Sequence, residues 1–329
     1  MSSDAMDPIE YVIRSKSSDA KPLISVVIPT RNHAPMLAQA VDAILAQDVE
    51  DLIELIVCDN GSTDETPEVM NRAVEWATHA LTYVRLRGAG TPARSRNLGI
   101  ELAAGRFVAF TDSDCVPARS WLREALKRFD RSDVGMVQGR TEPARPSVPF
   151  FSHFIVTRHL DGSFSTSNIV YRREALAGHR FDPTASYWED ADLGWRVAAD
   201  GWKSVFAPDA QVDHQVIAME PLKWILWPTR FTYWPAKVRR YPESRRNLFL
   251  GMWVRPLHLF FDLAVIGVSL SPWRLATLLL ALPYAFTFGT VRGIRGSLPP
   301  AKVAAYVAQD SVALATLIYS SINERRLVL

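Results

Sequence analysis

The chain has 329 residues, enough for one large domain or two moderate ones with a substantial core. Its 37 Lys and Arg against 35 Asp and Glu leave a net charge of +2, too little for a broad nucleic-acid-binding field, so no nucleic-acid partner is expected. The two cysteines, Cys58 and Cys115, do not make a disulfide framework and fit a reducing compartment.

Residues 1–21 are polar, lack the continuous apolar stretch of a signal peptide, and are expected to form a flexible leader. Strand and helix signals then alternate. Leu23–Ile28 is an apolar, β-branched run stopped by Pro29, and Met36, Leu37, Val41, Ile44 and Leu45 follow at helical spacing. Leu52–Val57 is a second strand ending in the turn sequence Cys58-Asp59-Asn60-Gly61, where Ser62 and Glu65 are spaced as a capping box for the next helix. A third strand is expected at Leu81–Leu86. Thr91-Pro92 opens a helix through Ala104, closed by Gly105 at a position that wants positive φ. Arg106-Phe107-Val108-Ala109-Phe110 is a buried strand that ends in Thr111-Asp112-Ser113-Asp114. Strands alternating with helices predict an α/β fold with a mixed, mainly parallel sheet covered on both faces.

The chemistry follows from that order. Ligands of open α/β sheets bind beyond the carboxyl ends of the strands, and two acids there suit a hard divalent cation that still accepts phosphate oxygens. A strand-ending Asp also caps turns and helices, so Asp112 and Asp114 need support from the rest of the chain. A helix near Ser120–Phe129 and strands at Val134–Gln138 and Ser167–Tyr171 continue the fold, with a short helix at Arg173–Ala177. In Trp188-Glu189-Asp190-Ala191-Asp192, three acids precede Leu193, Val197 and Ala198 at helical spacing. Glu189 and Asp190 therefore sit at a helix N-terminus, where the dipole favours negative charge. No Gly-x-Gly-x-x-Gly follows the first strand and no Walker A loop is present.

Six motifs in this order resemble a family 2 glycosyltransferase domain of the GT-A, Rossmann-like type. They are Pro29-Thr30-Arg31-Asn32, Asp59-Asn60-Gly61-Ser62-Thr63-Asp64, Ala93-Arg94-Ser95-Arg96-Asn97-Leu98-Gly99, Asp112-Ser113-Asp114, Ser167-Asn168-Ile169-Val170-Tyr171-Arg172-Arg173, and Glu189-Asp190-Ala191-Asp192-Leu193-Gly194-Trp195-Arg196. The resemblance implies a nucleotide-diphosphate sugar donor and a divalent cation, Mn²⁺ or Mg²⁺, that stabilises the departing diphosphate. It places Asp114 on the metal, Asp112 on the ribose or a metal-bound water, and Asp59 on the nucleobase. Pro29, Thr30, Arg31, Asn32 and Ser113 flank the nucleotide, and Arg96 approaches the diphosphate. Asp190 takes the acceptor hydroxyl's proton in an inverting displacement, with Glu189 beside it. Asn168 and Trp188 line the donor or acceptor, although Ser167 stands where the family often has Gly. His214 is a further candidate metal ligand. Two rivals are weighed: a nucleotidyltransferase, which needs a Gly-rich basic phosphate loop that Pro29-Thr30-Arg31-Asn32-His33 is not, and a catalytically silent scaffold that keeps the fold.

The catalytic domain is expected over residues 22–220, followed by an amphipathic aromatic and basic interfacial segment at 221–255. Processive relatives carry Gln-x-x-Arg-Trp in that segment; here Trp227-Pro228-Thr229-Arg230-Phe231 keeps only Arg230 as a candidate diphosphate contact. Residues 256–329 form an apolar helical region with stretches at Leu257–Leu270, Leu275–Val291 and Val303–Ile322. A full span needs about 17–20 apolar residues; the second stretch just qualifies, while Asp262 and Asp310 interrupt the others. Arg255, Arg274, Arg292, Arg295, Lys302, Arg325 and Arg326 flank the stretches as membrane-edge cations do. The expectation is membrane association at the cytoplasmic face of the plasma membrane, by shallow, hairpin or full insertion. The acceptor is then a lipid-linked or cell-envelope glycan.

Overall fold

A computed structural model describes residues 9–15, 21–49, 53–185, 187–291 and 299–329. They form two compact units, Met1–Ile217 and Ala218–Leu329.

The first unit is built on a nine-stranded sheet. Its strands are β1 (Ile9–Arg14), β2 (Ile24–Thr30), β3 (Ile53–Asp59), β4 (Ala80–Leu86), β5 (Phe107–Phe110), β6 (Cys115–Pro117), β7 (Val134–Pro143), β9 (Ile169–Arg172) and β10 (Lys203–His214); the short strands β8 (Ser152–His153) and β11 (Ile217–Ala218) lie outside it. The order is β1-β4-β3-β2-β5-β9-β7-β10-β6. β4, β3, β2 and β5 are parallel, as are β7 and β10, while β9 runs antiparallel between β5 and β7. All seven residues of β2 are buried, as a strand covered on both faces requires. Helices α1 (Ala34–Leu45), α2 (Thr66–Trp76), α3 (Pro92–Leu102), α4 (Trp121–Leu126) and α5 (Glu189–Ala199) complete the unit. Ile24, Val26 and Ile28 of β2 share one core with Leu37, Val41 and Ile44 of α1 and Met70 of α2. On the other face α3 approaches β2 so closely that a Cβ on Gly99 would lie 2.2 Å from Val27 Cγ1.

The parallel register fixes where the candidate site's loops leave the sheet. Thr30 pairs with Asp59, and Val27 with Phe110, so the loops after β2, β3 and β5 leave the sheet at one edge.

Four details correct the sequence expectations. Within the expected leader, Ile9–Arg14 is strand β1, paired antiparallel with β4; its Tyr11 and Ile13 pack on the core, while residues 1–8 and 16–20 lie outside the described residues. Leu52, expected to open the second strand, also lies outside them. The Ser62/Glu65 capping box is replaced by Asp64. Its carboxylate accepts from Thr66 N at 3.1 Å and from Ala34 N at 3.1 Å, serving the starts of α2 and α1 together. Gly105 has no positive φ; it is glycine because a Cβ would lie 2.7 Å from Ser25 N. Finally, Leu275–Val291 is not one helix but a 3₁₀ segment, Leu275–Ala281, followed by α9 (Leu282–Val291), with Pro283 in the first turn of α9, where its missing N–H costs nothing.

The second unit contains α6 (Pro221–Ile225), α7 (Tyr233–Arg240), α8 (Pro256–Leu270), α9 and α10 (Pro300–Glu324). The aromatic segment packs with the apolar helices: Trp224 meets Tyr306 edge-on at 5.3 Å, and Ser320 donates to the Thr232 carbonyl at 2.6 Å. Asp310 in the apolar face of α10 accepts from Tyr284 OH at 2.6 Å, and Asp262 of α8 accepts from Trp253 Nε1 at 2.9 Å. Their partners explain how acids persist in apolar stretches. At 25 residues, α10 is long and apolar enough to cross a membrane. Arg292 and Arg295 lie outside the described residues.

Candidate active site

The predicted residues converge at the carboxyl edge of the sheet. Arg96, carried by α3, is buried and forks between two motifs. Its Nη2 donates to Asp112 Oδ1 and its Nη1 to Glu189 Oε1, both at 2.8 Å. Burial opposes the charge, but the carboxylates of Asp112 and Glu189 hold the guanidinium above its ordinary pKa. The fork ties the end of β5 to the start of α5. Two chain regions that sequence leaves independent thus become one constellation.

Asp190 follows Glu189 and accepts from Ala191 N at 2.8 Å. Burial, then the charge of Glu189, raises its pKa to about 7, against the partial opposition of Arg96. Such a carboxylate is poised to take a proton near neutrality. Trp188, just before, has φ of 61°, a conformation costly for a bulky residue and concentrated at functional sites.

Asp114 lies below. Its pKa is raised by burial and by Asp112, and its Oδ2 is 3.7 Å from Nε2 of buried His214 at the end of β10. His214 Nδ1 lies 2.7 Å from the Gln215 carbonyl. A carbonyl only accepts, so Nδ1 is the donor, and Nε2 is the ring nitrogen that faces Asp114. A carboxylate and an imidazole nitrogen at this separation suit a divalent cation, with the carbonyl holding the ring in place.

The loops after β2 and β3 brace each other. Asn32, at φ 56°, accepts from Thr63 N at 2.7 Å through its side-chain oxygen and donates its own N–H to Ser62 Oγ at 2.9 Å. Thr30 Oγ1 is buried without a hydrogen-bond partner, Pro29 is buried within β2, and Arg31 is exposed. Ser113 Oγ meets His33 Nδ1 at 2.8 Å. His33 is a residue that sequence reasoning missed, although it directly follows the Pro29–Asn32 motif.

Two predicted contacts are turned inward. Asp59 is wholly buried, and its carboxylate accepts from Ser62 N at 2.9 Å, Ser62 Oγ at 2.6 Å and Tyr83 OH at 2.6 Å, with Arg85 Nη1 at 3.4 Å. It fixes the Asn60–Thr63 loop instead of projecting from it. Asn168 is 1% exposed; its amide accepts from Trp121 Nε1 at 2.7 Å and donates to the carbonyls of Arg140 and Ala210 at 2.8 and 2.9 Å. It joins β7, β10 and α4 and does not present its amide to a ligand. Arg230 belongs to the second unit, where its guanidinium stacks 3.5 Å from the Trp227 ring centre. A cavity of about 1080 Å³ opens at the other edge of the sheet, beside Leu23, Gly105 and Arg106; it is lined by Arg173 of the fifth motif but by none of the candidate site residues.

Residues 25–180 match the family model described as glycosyl transferase family 2. They are a family 2 glycosyltransferase domain. The chain is 31% identical over 127 residues to glycosyltransferase AglE of Haloferax volcanii, covering 38% of this chain and 41% of that protein. It is 28% identical over 214 residues to the amylovoran biosynthesis glycosyltransferase AmsB of Erwinia amylovora, covering 59% and 69%. The match spans about half the length of the first curated relatives. Among solved structures, the mannosyltransferase PcManGT from Pyrobaculum calidifontis, in complex with GDP-Man and Mn²⁺, superposes with a TM-score of 0.55 at 22% identity, covering 97% of this chain and 91% of that one. The family 2 domain thus has the expected GT-A fold: a mixed, mostly parallel sheet covered by helices.

Proposed function

We propose that the protein transfers a sugar from a nucleotide-diphosphate donor to an acceptor hydroxyl, with inversion at the anomeric carbon. The observation that carries this reading is the Arg96 fork, which joins the strand-end acid Asp112 to Glu189 and so sets Asp190, with its pKa of about 7, beside the same edge. Asp190 accepts the acceptor's proton while the acceptor oxygen attacks C1. The C1–O bond to the diphosphate breaks on the opposite face, and its electron pair leaves with the diphosphate. Base and leaving group on opposite faces give inversion.

Asp114 and His214 would hold a divalent cation, with Asp112 alongside toward the ribose. When bound, such an ion supplies Lewis-acid stabilisation of the charge on the departing diphosphate. The complex of PcManGT with GDP-Man and Mn²⁺ is the precedent for donor and ion. Arg96 adds a fixed positive charge whose counter-ions a diphosphate displaces in part. Pro29, Thr30, Arg31, Asn32 and Ser113 border the nucleotide, and Asp59 serves base recognition by fixing the Asn60–Thr63 loop. Trp188 shapes the donor and acceptor side through its backbone turn, and Asn168 supports that wall from within.

The second unit is proposed to attach to the cytoplasmic face of the plasma membrane, presenting the enzyme to a lipid-linked or cell-envelope glycan. Its exposed apolar side chains and the length of α10 support this reading. The deciding experiment is a panel of nucleotide sugars scored for thermal stabilisation and slow donor hydrolysis, with and without Mn²⁺ or Mg²⁺. At least one donor should stabilise the protein in a metal-dependent way. No binding under any condition overturns the enzymatic reading.

A further inference from the structure

The strand pairing that places His214 also places a residue with no role so far. β6 and β10 are antiparallel, with His214 directly opposite Cys115 and Val212 opposite Pro117. Directly opposed residues project to the same face of a sheet, with Cβ atoms about 4.5–5.5 Å apart. Cys115 therefore shares a face with His214, and Asp114 reaches the same point from the preceding residue. A carboxylate oxygen of Asp114, Cys115 Sγ and His214 Nε2 all lie within 4.8 Å of one another. Asp114 Oδ1 is 3.9 Å from Cys115 Sγ, and Asp114 Oδ2 is 3.7 Å from His214 Nε2. Cys115 is 0% and His214 2% exposed. Asp112, the other acid of the pair, is outside this trio and gives an oxygen to Arg96.

We propose that Cys115, and not Asp112, is the third protein ligand of the metal site, which makes the site selective for thiophilic ions such as Zn²⁺ and Co²⁺ over Mg²⁺. The inference rests on the metal part of the proposed function and is independent of sugar transfer. Bond lengths of about 2.0–2.3 Å to O, N and S place neighbouring ligand atoms of a tetrahedral ion roughly 3.3–3.8 Å apart. The trio reaches that geometry by adjustments of about 1 Å or less, with rotation of Asp114 as the adaptable part. A carboxylate, an imidazole and a thiolate match Zn²⁺ and Co²⁺, whereas Mg²⁺ takes oxygen ligands in octahedral array. The thiol proton passes to solvent as the sulfur–metal bond forms, so each ion bound releases one proton and no oxidant is involved. The fourth position is left for a water or a diphosphate oxygen.

Anaerobic titration of the full-length protein with Co²⁺ tests this. The wild type should develop the near-ultraviolet thiolate-to-cobalt charge-transfer band. Cys58→Ser, which removes the buried thiol of β3, should retain the band; Cys115→Ser should lose it. By chelator competition, Zn²⁺ affinity should fall at least tenfold in Cys115→Ser and less than threefold in Asp112→Asn. Zinc X-ray absorption on the wild type, independent of any variant's folding, should show one sulfur ligand. A shell of oxygen and nitrogen alone, a band that survives Cys115→Ser, or an equal affinity loss in Asp112→Asn overturns the assignment. Failure of every donor to be transferred, with the band intact, would strike the proposed activity and leave this site standing.

Discussion

The two units place their apolar residues in opposite ways. In the first, Ile24, Val26, Leu55, Val57 and Trp121 are fully enclosed, and among the described residues the large apolar side chains left exposed are Trp76, Val156, Leu160 and Tyr187. The other exposed ones among the described residues belong to the second unit, where Trp273, Leu275 and Phe286 are each 78% exposed. A sheet covered on both faces closes its own core, so its polar strand ends are left for chemistry. A set of helices apolar on nearly every side has no such closure, and water is a poor solvent for its surface. The division separates the proposed chemistry from the proposed attachment, and each prediction below strikes one of them.

The largest effect is expected from Asp190→Asn. Removing a general base costs about 10²–10⁴-fold in turnover, and transfer should drop by that factor while membrane sedimentation is unchanged. Wild-type kcat should rise with pH through about 7 as the carboxyl loses its proton, and the residual rate of the variant should be flat there. A variant within threefold of wild type would remove Asp190 from the base role.

The converse experiment deletes the second unit. The full chain should sediment with membranes, and a truncation after Pro221 should stay in the supernatant yet still bind nucleotide. If the full chain is equally soluble, the exposed apolar surface has another purpose and the catalytic reading is untouched.

Arg96→Gln comes next. The buried cation has two carboxylate partners at 2.8 Å, and breaking a buried pair by removing one partner costs about 3–5 kcal/mol. Partial exposure of Asp112 and Glu189 favours the lower end. Adding Asp112→Asn and Glu189→Gln should recover part of that loss in denaturant midpoint, since no unpaired charge is then left. A triple variant no more stable than the single one would mean that Arg96 acts through packing on Phe181, whose ring centre is 5.7 Å from its Cζ. A smaller cost attends Gly99→Ala: the added methyl meets Val27 at 2.2 Å, and overpacking of this kind costs about 1–3 kcal/mol.

How much of this was legible in the sequence depends on the range of the interaction. β2, β3 and β5 announce themselves through β-branched runs, and the acids of Asp112-Ser113-Asp114 and Glu189-Asp190 fall where the strand and helix ends put them. The partners were not legible. Nothing local to Arg96 says that it reaches both Asp112, 16 residues on, and Glu189, 93 residues on. Asp59 and Asn168 sit at motif positions that suggest ligand contact, yet Tyr83, Arg85, Trp121 and Ala210, from distant elements, take up their polar atoms. Cys115 was readable only as a thiol beside an acid until the β6–β10 register set it opposite His214. β1 was hidden because its short apolar run, Tyr11-Val12-Ile13, lies inside an otherwise polar segment.

A pH-dependent effect separates stability from activity within the first unit. Asp190 has an ordinary carboxyl pKa of 3.8 when unfolded and about 7 when folded. The folded state therefore holds this proton more tightly, and ionisation at this position opposes folding. The penalty is absent below pH 4, grows between pH 4 and 7, and is constant above 7. Asp190→Asn removes it, so the metal-free variant should melt at the wild-type Tm near pH 4 and a few degrees above it at pH 8. An unchanged difference across that range would mean that the carboxyl is solvated in the folded protein and titrates as in water. Its near-neutral pKa would then be lost as an argument for a base, and the case for Asp190 would rest on the Arg96 fork alone.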